Sequence, residues 1–145
     1  MTDFERRVRA AVYDWFRDRA CAPTCEELAA GFGVPRDAMA ATLHALAGAH
    51  TIVLLPGKDE VWMAHPFSAI ETDHVVTIGP RRWFANCAWD GLAILAVLGD
   101  GTFDTRSPAT GEPLRFTSQG GVVSGEGVVH FLVPAREFWN DIGHT

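Results

Sequence analysis

Apolar residues recur at Phe4, Val8, Ala11, Val12, Trp15 and Phe16, with Arg6, Arg7, Arg9 and Asp14 between them. That spacing puts one apolar stripe on a helix over residues 4–17. Pro23 breaks the pattern. Thr24 then forms a capping box with Glu27, which starts a short helix over residues 25–30. Gly31 and Gly33 supply the turn, and Pro35 suits the first position of a third helix whose apolar face carries Met39, Leu43 and Leu46. Gly48 ends it. Residues 52–55 and 61–63 flank the turn sequence Pro56-Gly57-Lys58-Asp59 and predict a β-hairpin. Three helices followed by a hairpin predict a winged helix-turn-helix lobe over residues 1–64.

The pattern changes after His65-Pro66, because the proline disfavours a helical residue before it. Residues 74–78 alternate as a short strand, and Gly79-Pro80 marks a turn. The apolar stretch 83–98 lacks proline and is rich in Ala and Leu, which predicts a buried helix stopped by Gly99. Three β-rich pieces follow at 102–105, 114–118 and 127–133, separated by Pro108, Gly111, Pro113 and Gly120-Gly121. The expected fold class is α+β: the winged-helix lobe, then a second lobe over residues 65–145 with a small, mostly antiparallel sheet packed on a central helix.

The chain has 145 residues, enough to bury roughly 70% of its unfolded surface. It therefore needs no disulfide or metal merely to fold. Its longest apolar run, residues 92–98, is far below the ~18 residues of a membrane span. The N-terminal residues mix charges among apolar positions, unlike a secretory leader, so a cytoplasmic location is expected. In that reducing compartment Cys21, Cys25 and Cys87 are expected to be free thiols. The spacing of Cys21 and Cys25 does not match a zinc knuckle, and the two read as small apolar fillers.

Charge bears on the winged helix. The chain carries 12 Lys and Arg against 18 Asp and Glu, a net charge of −6. The third helix offers a single cation, Arg36, beside Asp37, and the hairpin tip offers only Lys58, beside Asp59 and Glu60. A reader of DNA phosphates is expected to be more basic than this, so the charge argues against DNA as a partner and against an anionic membrane surface.

The usual nucleotide, serine-hydrolase and zinc-protease motifs are absent. Six histidines (His44, His50, His65, His74, His130 and His144) are scattered without ligand spacing and read as structural or solvated. One constellation differs: Asn86-Cys87-Ala88-Trp89-Asp90. On a helix, Cys87 and Asp90 share a face. A cysteine near a helix start meets free N–H groups and the positive end of the dipole, which favour a thiolate. A carboxylate in an otherwise apolar helix needs a partner or a proton. Arg81 and Arg82 are near enough in sequence to be that partner, and without one burial makes Asp90 a proton donor. A soft nucleophile beside a proton carrier suits capture of a soft electrophile or metal, followed by protonation of the departing group. The bland alternative makes Cys87 a core filler and Asp90 a paired structural carboxylate.

The segment HVVTIGPRRWFANCAWD, residues 74–90, resembles the central segment of the organomercurial (alkylmercury) lyases. The likeness continues through the apolar run and glycine stop at 92–99, the Ala-Thr-Gly-x-Pro turn at 109–113 and the apolar stretch 129–134. The winged-helix start also belongs to that family. The resemblance implies protonolysis of a carbon–mercury bond: thiolates hold the soft metal and an aspartate delivers the proton that frees the hydrocarbon. By motif match it assigns Cys87 as the mercury-binding thiol and Asp90 as the proton shuttle, with no bound cofactor and a small-molecule organomercurial or other soft electrophile as partner. It also implies a second catalytic cysteine beyond the stretch 129–133. Residues 139–145 hold none. The expectation is therefore either a divergent member or a chain that stops short of that thiol, with an external thiol as mercury acceptor. The alternatives are a noncatalytic soft-metal or small-molecule binder on the same fold, and a winged-helix regulator.

Overall fold

The computed structural model describes residues 1–143; His144 lies outside the described residues. Helix α1 (Asp3–Arg19) starts at a capping box between Thr2 and Glu5 and buries Val8, Val12 and Phe16. Helix α2 (Cys25–Phe32) starts at the Thr24–Glu27 box and stops at Gly33 in the left-handed conformation, φ 66°. Helix α3 (Arg36–Gly48) buries Met39, Ala40, Leu43 and Leu46, and Pro35 caps it from one position before the helix.

The strands are β1 (Val53–Leu54), β2 (Val61–Ala64), β3 (Phe67–Ser68), β4 (Val75–Ile78), β5 (Arg81–Ala85), β6 (Gly101–Arg106), β7 (Pro113–Gln119) and β8 (Val122–Ser124). Helix α4 (Ala88–Leu98) lies between β5 and β6 in sequence. All eight strands form one sheet in the order β1-β2-β3-β5-β4-β6-β7-β8. Every neighbouring pair runs antiparallel. The expected lobe boundary at residues 64–65 falls at the end of β2, which pairs with β3 through Ala64 and Phe67.

Two expectations are corrected. Residues 83–87 are not helical. Trp83, Phe84 and Ala85 belong to β5, where Trp83 and Ala85 are buried on alternate positions, and α4 begins at Ala88. The apolar run 83–98 is in fact a strand joined directly to a helix, and apolarity alone does not separate the two. The segment 127–133 forms no strand. Gly120 and Gly121, both at positive φ, instead make a two-residue hairpin turn that puts β8 on the free edge of β7. The Asp100 carboxylate accepts hydrogen bonds from both glycine N–H groups, at 2.8 and 3.3 Å, and fixes that turn.

Helix α4 packs on β4, β5 and β6 through Gly91, Ile94 and Leu95. Gly91 makes this possible. A Cβ there would lie 2.2 Å from Cε2 of the fully buried Phe103 on β6. The first turn of α4, with the Cys87-to-Asp90 motif, is thereby seated at one end of the sheet.

Candidate active site

Cys87 is the N-cap of α4, with extended backbone angles (φ −151°, ψ 179°) and no side-chain capping hydrogen bond. Backbone N–H groups of Trp89 and Asp90 face its sulfur and favour the thiolate, as expected at a helix start. They do not win. Burial of the thiol comes first and the neighbouring Asp90 carboxylate second, and together they push the Cys87 thiol above its ordinary range. Burial and the carboxylate therefore oppose the thiolate that the helix start favours.

Asp90 is in the first turn of α4, and its side chain is only 13% exposed. Arg81 and Arg82, offered by sequence as its partners, sit at exposed positions of β5. The contacts of Asp90 come from elsewhere. Asn86 Nδ2, from the junction before α4, donates to Asp90 Oδ2 at 3.0 Å. His65 Nδ1 lies 3.4 Å from the same oxygen. Asn86 Nδ2 also lies 3.2 Å from His65 Nδ1. A mostly buried carboxylate is thus held by an amide and an imidazole, without a permanent cation. Asn86 Oδ1 is buried, and no described protein group donates to it.

His74 precedes β4 and turns to β6. Its Nδ1 is 2.7 Å from Thr105 Oγ1 on β6. Burial holds its pKa below the usual imidazole value, against the opposing pull of Asp73 and Asp90. His65 and His74 were read as scattered residues in sequence, yet His65 contacts Asp90 and His74 feels its charge. His65 also meets the edge of Trp139, whose ring stacks on His50 at 4.3 Å. Asn86 precedes α4, so helical spacing does not account for its contact with Asp90, and its place in the same short segment was the one available signal. Nothing local in sequence pointed to His65, 25 residues before Asp90.

The other cysteines are elsewhere. Cys21 is exposed, and Cys25 is buried with its thiol 3.7 Å from the Arg36 carbonyl oxygen. Burial raises the Cys25 pKa as well. Among the described residues no group of three or more His, Cys, Asp or Glu side chains is placed to hold a metal ion. A cavity of about 620 Å³ lies between Trp89 and the segment 131–138. Cys87, Asp90, Asn86 and His65 do not line it, so the chemistry of the motif rests on its own contacts. None of the described helices is long and apolar enough to cross a membrane.

A mixed helical and antiparallel fold with a Cys-x-x-Asp motif at the start of its central helix defines a class that comparison with known proteins identifies. The alkylmercury lyase (MerB) family model matches residues 67–145. The chain belongs to the alkylmercury lyase family. A solved structure titled as the mercury-bound form of MerB2 is similar in fold, with a TM-score of 0.68 and 24% sequence identity. The match covers 86% of this chain and 60% of that one, so the chain spans about 60% of that relative's length. No curated protein sequence matches the chain.

Proposed function

We propose that this chain acts as an alkylmercury-lyase-type protein that cleaves carbon–mercury bonds by protonolysis. The observation that carries the proposal is the half-buried Cys87 thiol beside the mostly buried Asp90 carboxylate, at the start of α4. The sulfur of Cys87 displaces a ligand from an organomercurial and forms a sulfur–mercury bond, which soft Hg(II) favours. Asp90 takes the thiol proton. The carbon–mercury bond then breaks, its electron pair stays with carbon, and Asp90 returns the proton to that carbon. The hydrocarbon leaves, and two external thiolates take Hg(II) from Cys87 as the bis-thiolate, which frees the Cys87 sulfur. No resident cofactor enters the scheme. A reducing cytoplasm, rich in small thiols, is the compartment the chemistry requires.

The three N-terminal helices and the β1–β2 hairpin form, in this proposal, a winged-helix lobe that serves as scaffold and does not read DNA. Arg36 is paired with Glu26 at 2.6 Å and Asp59 at 3.0 Å, and Lys58 with Glu60 at 3.6 Å. The cations that would meet phosphates are already neutralised.

The test is a single-turnover reaction of the protein with phenylmercury and excess small thiol, with benzene followed by gas chromatography. Benzene should exceed the protein-free control. Cys87→Ser should lose phenylmercury capture, and Asp90→Asn should capture it without releasing benzene. Benzene release unchanged in Asp90→Asn would overturn the proton role. Phenylmercury held at Cys87 with no benzene would leave the second reading, a soft-metal binding protein. That reading is favoured by the placement of Cys21 and Cys25 away from the site.

A further inference from the structure

We infer that Asn86 is a positioning residue for the proton carrier Asp90, and that His65 sets the orientation of the Asn86 amide. The inference rests on the proposed lyase reading. Three polar atoms form a triangle: Asn86 Nδ2 to Asp90 Oδ2 at 3.0 Å, Asn86 Nδ2 to His65 Nδ1 at 3.2 Å, and His65 Nδ1 to Asp90 Oδ2 at 3.4 Å. A carboxylate oxygen only accepts, whereas a side-chain amide nitrogen carries two hydrogens. A neutral His65 with its proton on Nε2 presents the Nδ1 lone pair. One amide hydrogen then goes to Asp90 and the other to His65, along the two shorter sides of the triangle.

This assignment accounts for the orientation of the amide. A flipped Asn86 would aim its oxygen at the lone pairs of both Oδ2 and Nδ1. The adopted orientation leaves Asn86 Oδ1 buried without a described protein donor, so the amide gives up satisfaction of its oxygen to serve two acceptors with its nitrogen. The consequence falls on Asp90. With Oδ2 occupied by the amide, Oδ1 is the oxygen left to take the Cys87 proton and return it to carbon. Backbone anchoring differs for each member: His65 comes from the β2–β3 connection, Asn86 from the β5–α4 junction and Asp90 from α4. The carboxylate is therefore fixed from outside its own helix.

Two measurements test this on the intact protein. The first is the tautomer of His65 by imidazole ¹⁵N NMR without ligand. The neutral ring should carry its proton on Nε2, with Nδ1 unprotonated, and the Nδ1 signal should shift in Asn86→Ala. A neutral ring protonated at Nδ1 would overturn the inference, since His65 would then donate directly to Asp90. The second is a split between capture and release with phenylmercury. Asn86→Ala should form the Cys87 adduct as wild type does, seen by intact mass, but release benzene at least about tenfold more slowly, a barrier change near 1.4 kcal/mol. His65→Phe should slow release in the same way. His65→Asn, which can place an amide oxygen near the Nδ1 position, should recover part of the rate. In an Asp90→Asn background, Asn86→Ala should have no further effect. Equal loss of capture and release would mark Asn86 as merely structural and refute the inference. If wild type releases no benzene, the lyase reading fails, and the tautomer still decides the orientation of the amide.

Discussion

At the scale of single residues, the informative conflict is at Cys87. The helix N-terminus pulls toward the thiolate, while burial and Asp90 push toward the thiol, and the thiol wins. The ordinary thiol pKa is 9.0. Because the folded value is raised above it, the thiolate fraction at neutral pH is lower than for a free cysteine, and reactivity rises only on the alkaline side. Alkylation by iodoacetamide, followed residue by residue by mass spectrometry, should therefore show exposed Cys21 reacting ahead of Cys87 at pH 8. Asp90→Asn removes a negative neighbour, so its sign is opposite: Cys87 should then react severalfold faster at the same pH. No change in the Asp90→Asn rate would mean that the carboxylate does not act on the sulfur. The sequence made Cys87 and Asp90 legible because three residues of helix bring them together. His65 was not legible, because its approach to Asp90 depends on strand pairing of β3 with β5, a contact without a local sequence signature.

At the scale of elements, the position of the site depends on how closely α4 sits on β6. Gly91 permits the approach. An added Cβ would lie 2.2, 2.4 and 2.6 Å from three ring carbons of Phe103. Phe103 cannot easily yield, since it is fully buried and stacks on Phe116 at 5.8 Å. Gly91→Ala gains about 1 kcal/mol of helix propensity but incurs an overpacking cost of about 1–3 kcal/mol. The net expectation is lower stability in a urea melt, with benzene release slowed because the first turn of α4 is displaced. Phe103→Leu in the Gly91→Ala background should restore part of both. A Gly91→Ala variant as stable as wild type would show that the helix can shift without cost. The same junction marks the limit of the sequence as a guide. Capping boxes at Thr2 and Thr24 and a glycine stop at Gly99 delimit helices by local chemistry. No such punctuation separates β5 from α4, so the apolar run read as one helix. The stretch 127–133 is apolar enough for a strand, but strand formation needs a partner edge, and β8 has already taken the edge of β7.

At the scale of the whole molecule, the N-terminal helices and the sheet share one core. Phe16 of α1 stacks on Phe67 of β3 at 5.3 Å with rings 9° from parallel. Its carbonyl oxygen accepts a buried hydrogen bond from Trp83 Nε1 of β5 at 2.6 Å. Both contacts cross the expected boundary at residues 64–65, and a single cluster of buried residues runs from Val8 to Phe103. N-terminal helices coupled in this way cannot melt alone without exposing the strands that place His65 and Asn86. Phe16→Ala, remote in sequence from the motif, should cost about 3–5 kcal/mol, a large share of the roughly 5–15 kcal/mol that holds a typical domain. Far-UV circular dichroism weights helices α1 to α3, whereas near-UV bands report the packed aromatics of the sheet. For wild type and variant alike, the two signals should lose structure at one denaturant midpoint, lower in Phe16→Ala. Separated midpoints would mean that the N-terminal helices unfold independently. The N-terminal helices would then be an appended unit, and the geometry of the Asp90 site would depend only on the sheet and α4.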